Sequence, residues 1–211
     1  MKWYIVNKDY IDYLKEFDDK VSDVSYNNHV RLFLGKFLNI DGYNNIKYYI
    51  PVSSAKPKHM SMEDRVDFIK LFDSLGEIAG VLNLNNMIPV PDFAVKEFDY
   101  TAVRDLDGFE NTSEKDKYYR LSMDELQYCN SISDFIEHNA SALYGMTKSK
   151  SYQFRSLRQR CCNFIKLQNC AIEYNDIINY ELDNLMNNVS KKLIDAEKEP
   201  IYYQKDIIHE K

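Results

Sequence analysis

Strand-like runs crowd the chain between Lys2 and Leu84, and helix-like periodicity takes over from Lys117 onward. This segregation constrains the fold more than any other feature. Strands grouped together, with helices grouped after them, make an α+β arrangement rather than a series of βαβ units. The first run, Lys2 to Val6, is aromatic and β-branched, as a short strand requires. Asn7 stands where a side-chain oxygen caps a helix, and Tyr10, Tyr13, Leu14 and Phe17 fall at core spacing over about Asp9 to Lys20. Val21 to Asn28 reads as polar loop. Arg31 to Ile40 and Lys47 to Val52 are the next strands. Asp41-Gly42 signals a turn between them, within a loop through Asn45 that is longer than a tight hairpin. Pro51 marks an edge position or the close of pairing.

Val66 to Asp73 and Ile78 to Leu84 fit two further strands around Gly76, although a helix fits the first equally. Pro89 and Pro91 are expected to end the strand region, since a residue without an N–H cannot continue a ladder. Lys96 to Asp116 is polar and acidic and reads as an excursion rather than core. Lys117 to Leu143 reads as helix with a break near Asn130. Asn163 stands where it can cap a C-terminal helix, and a second helix is expected from about Asp176 to Ala196. No repeat or Pro/Ser-rich linker divides the chain. The expectation is one domain over residues 1–211, with an acidic excursion at about 96–116 and a helical extension at about 176–211.

The apolar stretches fall far short of the roughly 20 residues that a membrane span needs, and the N-terminal one is too short for a signal peptide. A cytoplasmic location without a membrane partner is expected. Cys129, Cys161, Cys162 and Cys170 contain no C-x-x-C pair and no histidine at zinc-finger spacing. Reduced thiols are expected, with no structural metal and no cofactor.

With 27 Lys+Arg against 33 Asp+Glu, the net charge of −6 argues against a general nucleic-acid coat protein or a membrane-surface binder. Sorted by segment, the charge says something else. Tyr26 to Met62 holds five cations (Arg31, Lys36, Lys47, Lys56 and Lys58) against Asp41 alone. His138 to Ile172 holds six (Lys148, Lys150, Arg155, Arg158, Arg160 and Lys166) and no acid. If the two meet in the fold, they make an anion-binding face on an acidic body, with Tyr152 and Phe154 available for base stacking. A protein–protein module without RNA is disfavoured by the acid-free segment.

The string Ser53-Ser54-Ala55-Lys56-Pro57-Lys58-His59 gathers hydroxyls, ammonium groups and an imidazole directly after a strand. Successive side chains of a strand point to opposite faces, so both serines meet one site only if the strand is ending. Such a set suits phosphodiester transesterification in RNA. A base takes the ribose 2′-OH proton, a cation stabilises the phosphorane, and an acid protonates the leaving 5′-oxygen. The alternative is a Ser/Pro turn with two solvated lysines and a surface histidine.

Tyr10-x-x-Tyr13-Leu14-Lys15-Glu16-Phe17-Asp18-Asp19-Lys20-Val21 resembles the N-terminus of the type III toxin–antitoxin endoribonucleases, the ToxN/AbiQ/CptN group, in its CptN- or AbiQ-like form. Arg31-x-Phe33-Leu34-Gly35, Tyr49-x-Pro51-Val52-Ser53-Ser54-x-Lys56-Pro57-Lys58-His59, Asn83-Leu84-x-x-Met87-Ile88-Pro89-Val90 and Cys162-Asn163-Phe164 resemble later landmarks in the same order. The resemblance implies a compact α+β protein on a twisted antiparallel sheet, similar to Kid and MazF, surrounded by helices. It implies metal-independent RNA cleavage that leaves a 2′,3′-cyclic phosphate and a 5′-OH, in phage defence by abortive infection. The implied partner is a repetitive, pseudoknot-like antitoxin RNA that the toxin processes and holds in a closed toxin–RNA ring. Cellular or phage RNA is the implied substrate.

By the same resemblance Ser54 and Lys56 carry the central catalytic roles, with Ser53 beside them and Arg31 as the basic residue before Phe-x-Gly. Tyr26 and His59 are the candidates for moving protons, and Ala55 replaces the usual proline. Lys58, Lys148, Lys150, Tyr152, Arg155, Arg158, Arg160 and Lys166 are the candidate RNA-binding residues. The alternative is a non-catalytic RNA-binding module on the same fold, with Ser54 and Lys56 only touching phosphates.

Overall fold

The computed structural model describes residues 1–26, 29–104, 109 and 111–198. Strand β1 (Lys2–Val6) leads into helix α1 (Lys8–Lys15) through Asn7, whose side chain accepts the Asp9 amide. The helix ends at Lys15 rather than near Lys20 because the next residues have other partners. The Asp18 carboxylate accepts the amides of Lys20 and Asn163, 3.0 and 2.6 Å away. Strands β2 (Ser25–Tyr26) and β3 (His29–Val30) pair as a separate hairpin where loop was expected.

Strands β4 (Phe33–Ile40) and β5 (Tyr43–Ser54) follow, with Ile40 opposite Tyr43 and Gly42 at φ +80°. The connection is therefore a tight turn on Asp41-Gly42 and not the longer loop through Asn45. Glycine takes the left-handed conformation without steric cost, and that lets the hairpin close at once. Helix α2 (Pro57–Met60) and strands β6 (Ile69–Phe72), β7 (Ile78–Leu82), β8 (Ile88–Pro91) and β9 (Val95–Glu97) complete this half. The antiparallel sheet runs β6-β7-β5-β4-β1-β9, with β8 also paired to β5.

Strand β5 is central. One side faces β4, and the other faces β8 as far as Tyr49 and β7 from Val52. Pro51 falls where β8 hands over to β7, so its missing N–H meets no ladder position. Its carbonyl accepts the Asn83 amide at 3.1 Å. Pro89 and Pro91 do not end the strand region, because both lie in β8 opposite Tyr48 and Ile46. They are two residues apart and so turn their backbone nitrogens the same way. The Pro89 carbonyl accepts from the Tyr10 hydroxyl and not from β5, which puts the missing donors on the unpaired side of β8.

The helices are α3 (Tyr100–Arg104), α4 (Thr112–Ser131), α5 (Ser133–Lys148), α6 (Arg155–Arg160) and α7 (Phe164–Lys198). Ile132 breaks α4 from α5, close to the expected break at Asn130. The stretch 96–116 begins inside the core rather than outside it, since β9 pairs with β1 and Phe98, Ala102 and Val103 are buried. Apolar residues at 98, 102 and 103 were outweighed in the sequence by the surrounding charge; residues 105–108 and 110 lie outside the described ones. Asn163 caps α7 by accepting the Lys166 amide at 3.2 Å. α7 is one continuous helix to Lys198 where two were expected.

The chain divides into two compact units, Met1–Ile172 and Glu173–Lys211. The first holds the sheet and a core built on Trp3, Tyr10, Phe33, Tyr48, Tyr49 and Phe164. The second, as far as it is described, is the remainder of α7 and exposes Tyr180, Leu185 and Met186. The four cysteines are free and buried. Among the described residues no helix is long and apolar enough to cross a membrane.

Gly35 is fixed by packing. A Cβ there would lie 2.4 Å from the buried Tyr49 ring. Gly35→Ala is therefore expected to destabilise the protein by about 1–3 kcal/mol, the usual cost of overpacking, read as a lower midpoint in denaturant unfolding with an unchanged slope.

Candidate active site

The end of β5 opens onto a cavity of about 670 Å³. Val52, Ser53, Ser54, Ala55 and Lys56 line one side, with Arg31 and Leu32 beside them and Ala79 from β7. Strand pairing stops at Ser54, opposite Gly80, and the Ala55 amide donates to the Ala79 carbonyl at 3.1 Å. The strand ends where the two serines need it to, and both line the cavity. Helix α4 adds Tyr118, Leu121, Ser122 and Glu125 to the lining. Trp3 sets the place of that helix, because its buried indole N–H donates to the Ser122 carbonyl at 2.6 Å.

Arg31 is held from three directions. Its Nε donates to the Asp23 carbonyl at 2.6 Å, and its Nη1 donates to the Val52 carbonyl at 3.0 Å and to Ser53 Oγ at 2.7 Å. Burial lowers its pKa, against the pull of Asp23 and Tyr118, but a guanidinium starts so high that it stays charged. Ser53 Oγ also accepts from Asn83 Nδ2 at 3.0 Å. Ser53 is thus fixed by two donors, whereas no hydrogen bond among the described residues holds the Ser54 hydroxyl, which lies exposed beside it. A held hydroxyl, an unheld one, a rigid guanidinium and the Lys56 ammonium share one wall. That wall suits an anion whose charge grows during reaction.

His59 does not line the cavity. It is buried on α2 against Phe68, with ring centroids 5.5 Å apart, and its Nδ1 accepts the Lys56 amide at 3.0 Å. An accepting Nδ1 is unprotonated. Burial first, then Lys58 and Lys56, push the imidazole pKa down and keep it neutral. That bond closes the turn from Lys56 into α2. Lys58 is exposed on α2, outside the cavity lining. Tyr26 has its backbone in β2, and its side chain lies outside the described residues.

The basic segment 148–166 is less uniform than its charge implied. Both Nε and Nη2 of Arg160 donate to Asp67 Oδ2, at 3.0 and 2.9 Å, and its Nη1 donates to Ser156 Oγ. Arg158 Nη1 donates to the Ser149 and Ser151 carbonyls, and Lys166 donates to the Phe17 carbonyl. These three cations hold the fold together. Lys148, Lys150, Tyr152 and Arg155 are exposed, with the Arg155 guanidinium 5.9 Å from the Tyr152 ring centre. Phe154 is half-buried. None of these residues lines the cavity. Arg160→Ala is expected to cost about 2 kcal/mol of stability, because it leaves the Asp67 carboxylate buried without its main partner; a thermal melt reads the loss.

Three site residues escaped the sequence reading. Asn83 stood inside a motif without a role. Tyr118 and Glu125 share one face of α4 with Ser122 and Cys129, at helical spacing. The signal available was a glutamate in phase with an inward-facing stripe.

Comparison with known proteins places these features in context. The family described as "Toxin ToxN, type III toxin-antitoxin system" matches residues 2–172. The chain is 29% identical over 178 residues to the endoribonuclease ToxN of Bacillus thuringiensis subsp. kurstaki, covering 83% of this chain and 84% of that one. A solved structure concerned with selective toxin inhibition by a non-coding RNA pseudoknot superposes with TM-score 0.69 at 28% identity, over 82% of this chain and 97% of that one. The structure of AbiQ, a lactococcal anti-phage endoribonuclease of the type III system, superposes with TM-score 0.65 at 26% identity, over 83% and 98%. Residues beyond 172 fall outside the family match.

Proposed function

This chain belongs to the ToxN family of type III toxin–antitoxin toxins, and we propose that its cavity is an endoribonuclease site working by transesterification. The observation that carries this reading is the convergence of Arg31, Ser53, Ser54 and Lys56 on one wall. The ribose 2′-oxygen attacks phosphorus, the bond to the 5′-oxygen breaks, and the products carry a 2′,3′-cyclic phosphate and a 5′-OH. Lys56 and Arg31 stabilise the phosphorane, and Ser54 holds the 2′-OH or a non-bridging oxygen in line. Ser53 and Asn83 keep the guanidinium and the strand end in register.

The partner is a repeat antitoxin RNA of pseudoknot type, which the toxin processes and keeps in a closed ring assembly. Exposed Lys148, Lys150, Tyr152 and Arg155 form the surface that holds it, with Lys58 nearer in sequence to the cavity. Cations contact phosphate, and the tyrosine offers a face on which a base stacks. The toxin acts in the cytoplasm on cellular or phage RNA, in phage defence.

Expression in bacteria tests this. The chain alone should arrest growth and fragment cellular RNA, and co-expression of its repeat RNA should restore growth. Growth arrest with intact cellular RNA would refute the reading. RNA that is bound tightly but left uncut would favour a binding module on the same fold.

A further inference from the structure

The chemistry proposed above needs a group that takes the 2′-OH proton. His59 lies outside the cavity lining with its Nδ1 engaged. Tyr118 donates its hydroxyl to the Val30 carbonyl at 2.9 Å, and burial pushes its pKa further up.

Glu125 stands on α4. It is 7% exposed, yet it lines the cavity. Among the described residues no hydrogen bond or ion pair holds its carboxylate. A carboxyl on a largely buried residue that lines a cavity without a partner is costly to ionise, and its persistence calls for a reason. The opposing strand makes room for it. A Cβ on Gly80 would come within 2.4 Å of Glu125 Oε1 and 3.3 Å of the Ser53 carbonyl. Gly80 pairs with Ser54 in the ladder. The glycine thus lets the carboxyl lie against the backbone of the same strand end that presents the two serines.

We propose that Glu125 is the general base of this site. This rests on the reading of the cavity as the place of RNA cleavage. Its carboxylate takes the proton of the 2′-OH, the 2′-oxygen bonds to phosphorus, the bond from phosphorus to the 5′-oxygen breaks, and the leaving oxygen takes a proton from water. Glu125 then returns its proton to solvent.

Burial, reinforced by Asp124, raises its pKa to about 7, where a base is half available at neutral pH. The other titratable groups on its helix face are Tyr118, Tyr128 and Cys129; Glu125 itself contributes to raising Tyr118 and Cys129, and burial raises Tyr128. Arg31 and Lys56 line the same cavity, β6 carries Lys70, and β7 carries no titratable residue.

Single-turnover cleavage of an RNA oligonucleotide between about pH 5 and 9 tests the proposal. The wild-type rate should rise about tenfold per pH unit below about 7 and then level off. Glu125→Gln should lower the plateau about 10²-fold and remove that rise, and Gly80→Ala should do the same by displacing the carboxyl. Glu125→Gln should also melt higher than wild type at pH 8, since it removes a buried charge. A Glu125→Gln protein that keeps the wild-type pH profile, or that loses activity while melting lower at pH 8, would overturn the proposal. Ser54→Ala is run alongside. If it too cleaves at the wild-type rate, the cavity reading fails, and not the assignment of Glu125 alone.

Discussion

Ser54→Ala is expected to lower the rate of RNA cleavage by about 10²–10³, the usual cost of removing one positioned donor from a site that stabilises developing charge. The fold should be untouched. No hydrogen bond among the described residues holds the Ser54 hydroxyl, and the residue is exposed at the very end of β5. Its removal therefore orphans nothing, and the melting temperature should stay within a degree or so of wild type. Ser53→Ala makes the contrast. Its hydroxyl accepts from both Arg31 and Asn83, so its loss strands two donors and loosens the guanidinium. If Ser54 acts and Ser53 positions, measuring rate and stability on the same samples distinguishes them.

Arg31→Ala is expected to cost more on both counts. Cleavage should fall about 10³-fold, since the variant loses a fixed positive charge at the phosphorane. Stability should fall on the order of 2–3 kcal/mol, because the Asp23 and Val52 carbonyls and Ser53 Oγ all lose a charged donor. Arg31→Lys should restore little. One ammonium on a flexible stem cannot reach acceptors on both the 23-side loop and the end of β5 as a planar guanidinium does. An Arg31→Lys enzyme with wild-type rate would mean that charge alone matters at this position.

The pH dependence of stability carries a further consequence of Glu125. Its carboxyl pKa is raised on folding from 4.5 to about 7. The contribution is fully present below about pH 4.5 and is lost as pH rises through about 7, when a charge must form in a buried place. At about 1.4 kcal/mol per pH unit the loss is at most about 3 kcal/mol. Retaining such a group against the stability of the fold is what a functional site does, and it is the physical reason Glu125→Gln should gain stability as it loses activity.

Much of the sheet was legible because strand chemistry is local. β1 stands where its aromatic and β-branched residues put it, and Asp41-Gly42 turns the central hairpin. Pro51 does mark the close of pairing with β8, but Pro89 and Pro91 were misread because a ladder has two sides. Pro89 is tolerated by facing away from β5, and which side that is depends on neighbours far off in sequence. The clustering of Arg31, Ser53, Ser54 and Lys56 was legible from one strand end and its neighbour. The α4 wall was not, since nothing local says that Tyr118 and Glu125 face the end of β5. Charge counting overstated the basic segment for a related reason. Asp67 lies outside that segment, yet it takes up Arg160.

If this cavity breaks RNA by internal transesterification, the ends of the products carry the signature. Purified wild-type protein and Ser54→Ala should be incubated with RNA in the presence of a chelator, and the fragment masses determined. Wild type should yield fragments ending in 2′,3′-cyclic phosphate and beginning with 5′-OH, and Ser54→Ala should leave the RNA intact while still retaining it on the protein. Fragments carrying 5′-phosphate would rule that chemistry out, and equal cleavage by the two proteins would rule out this cavity as its place.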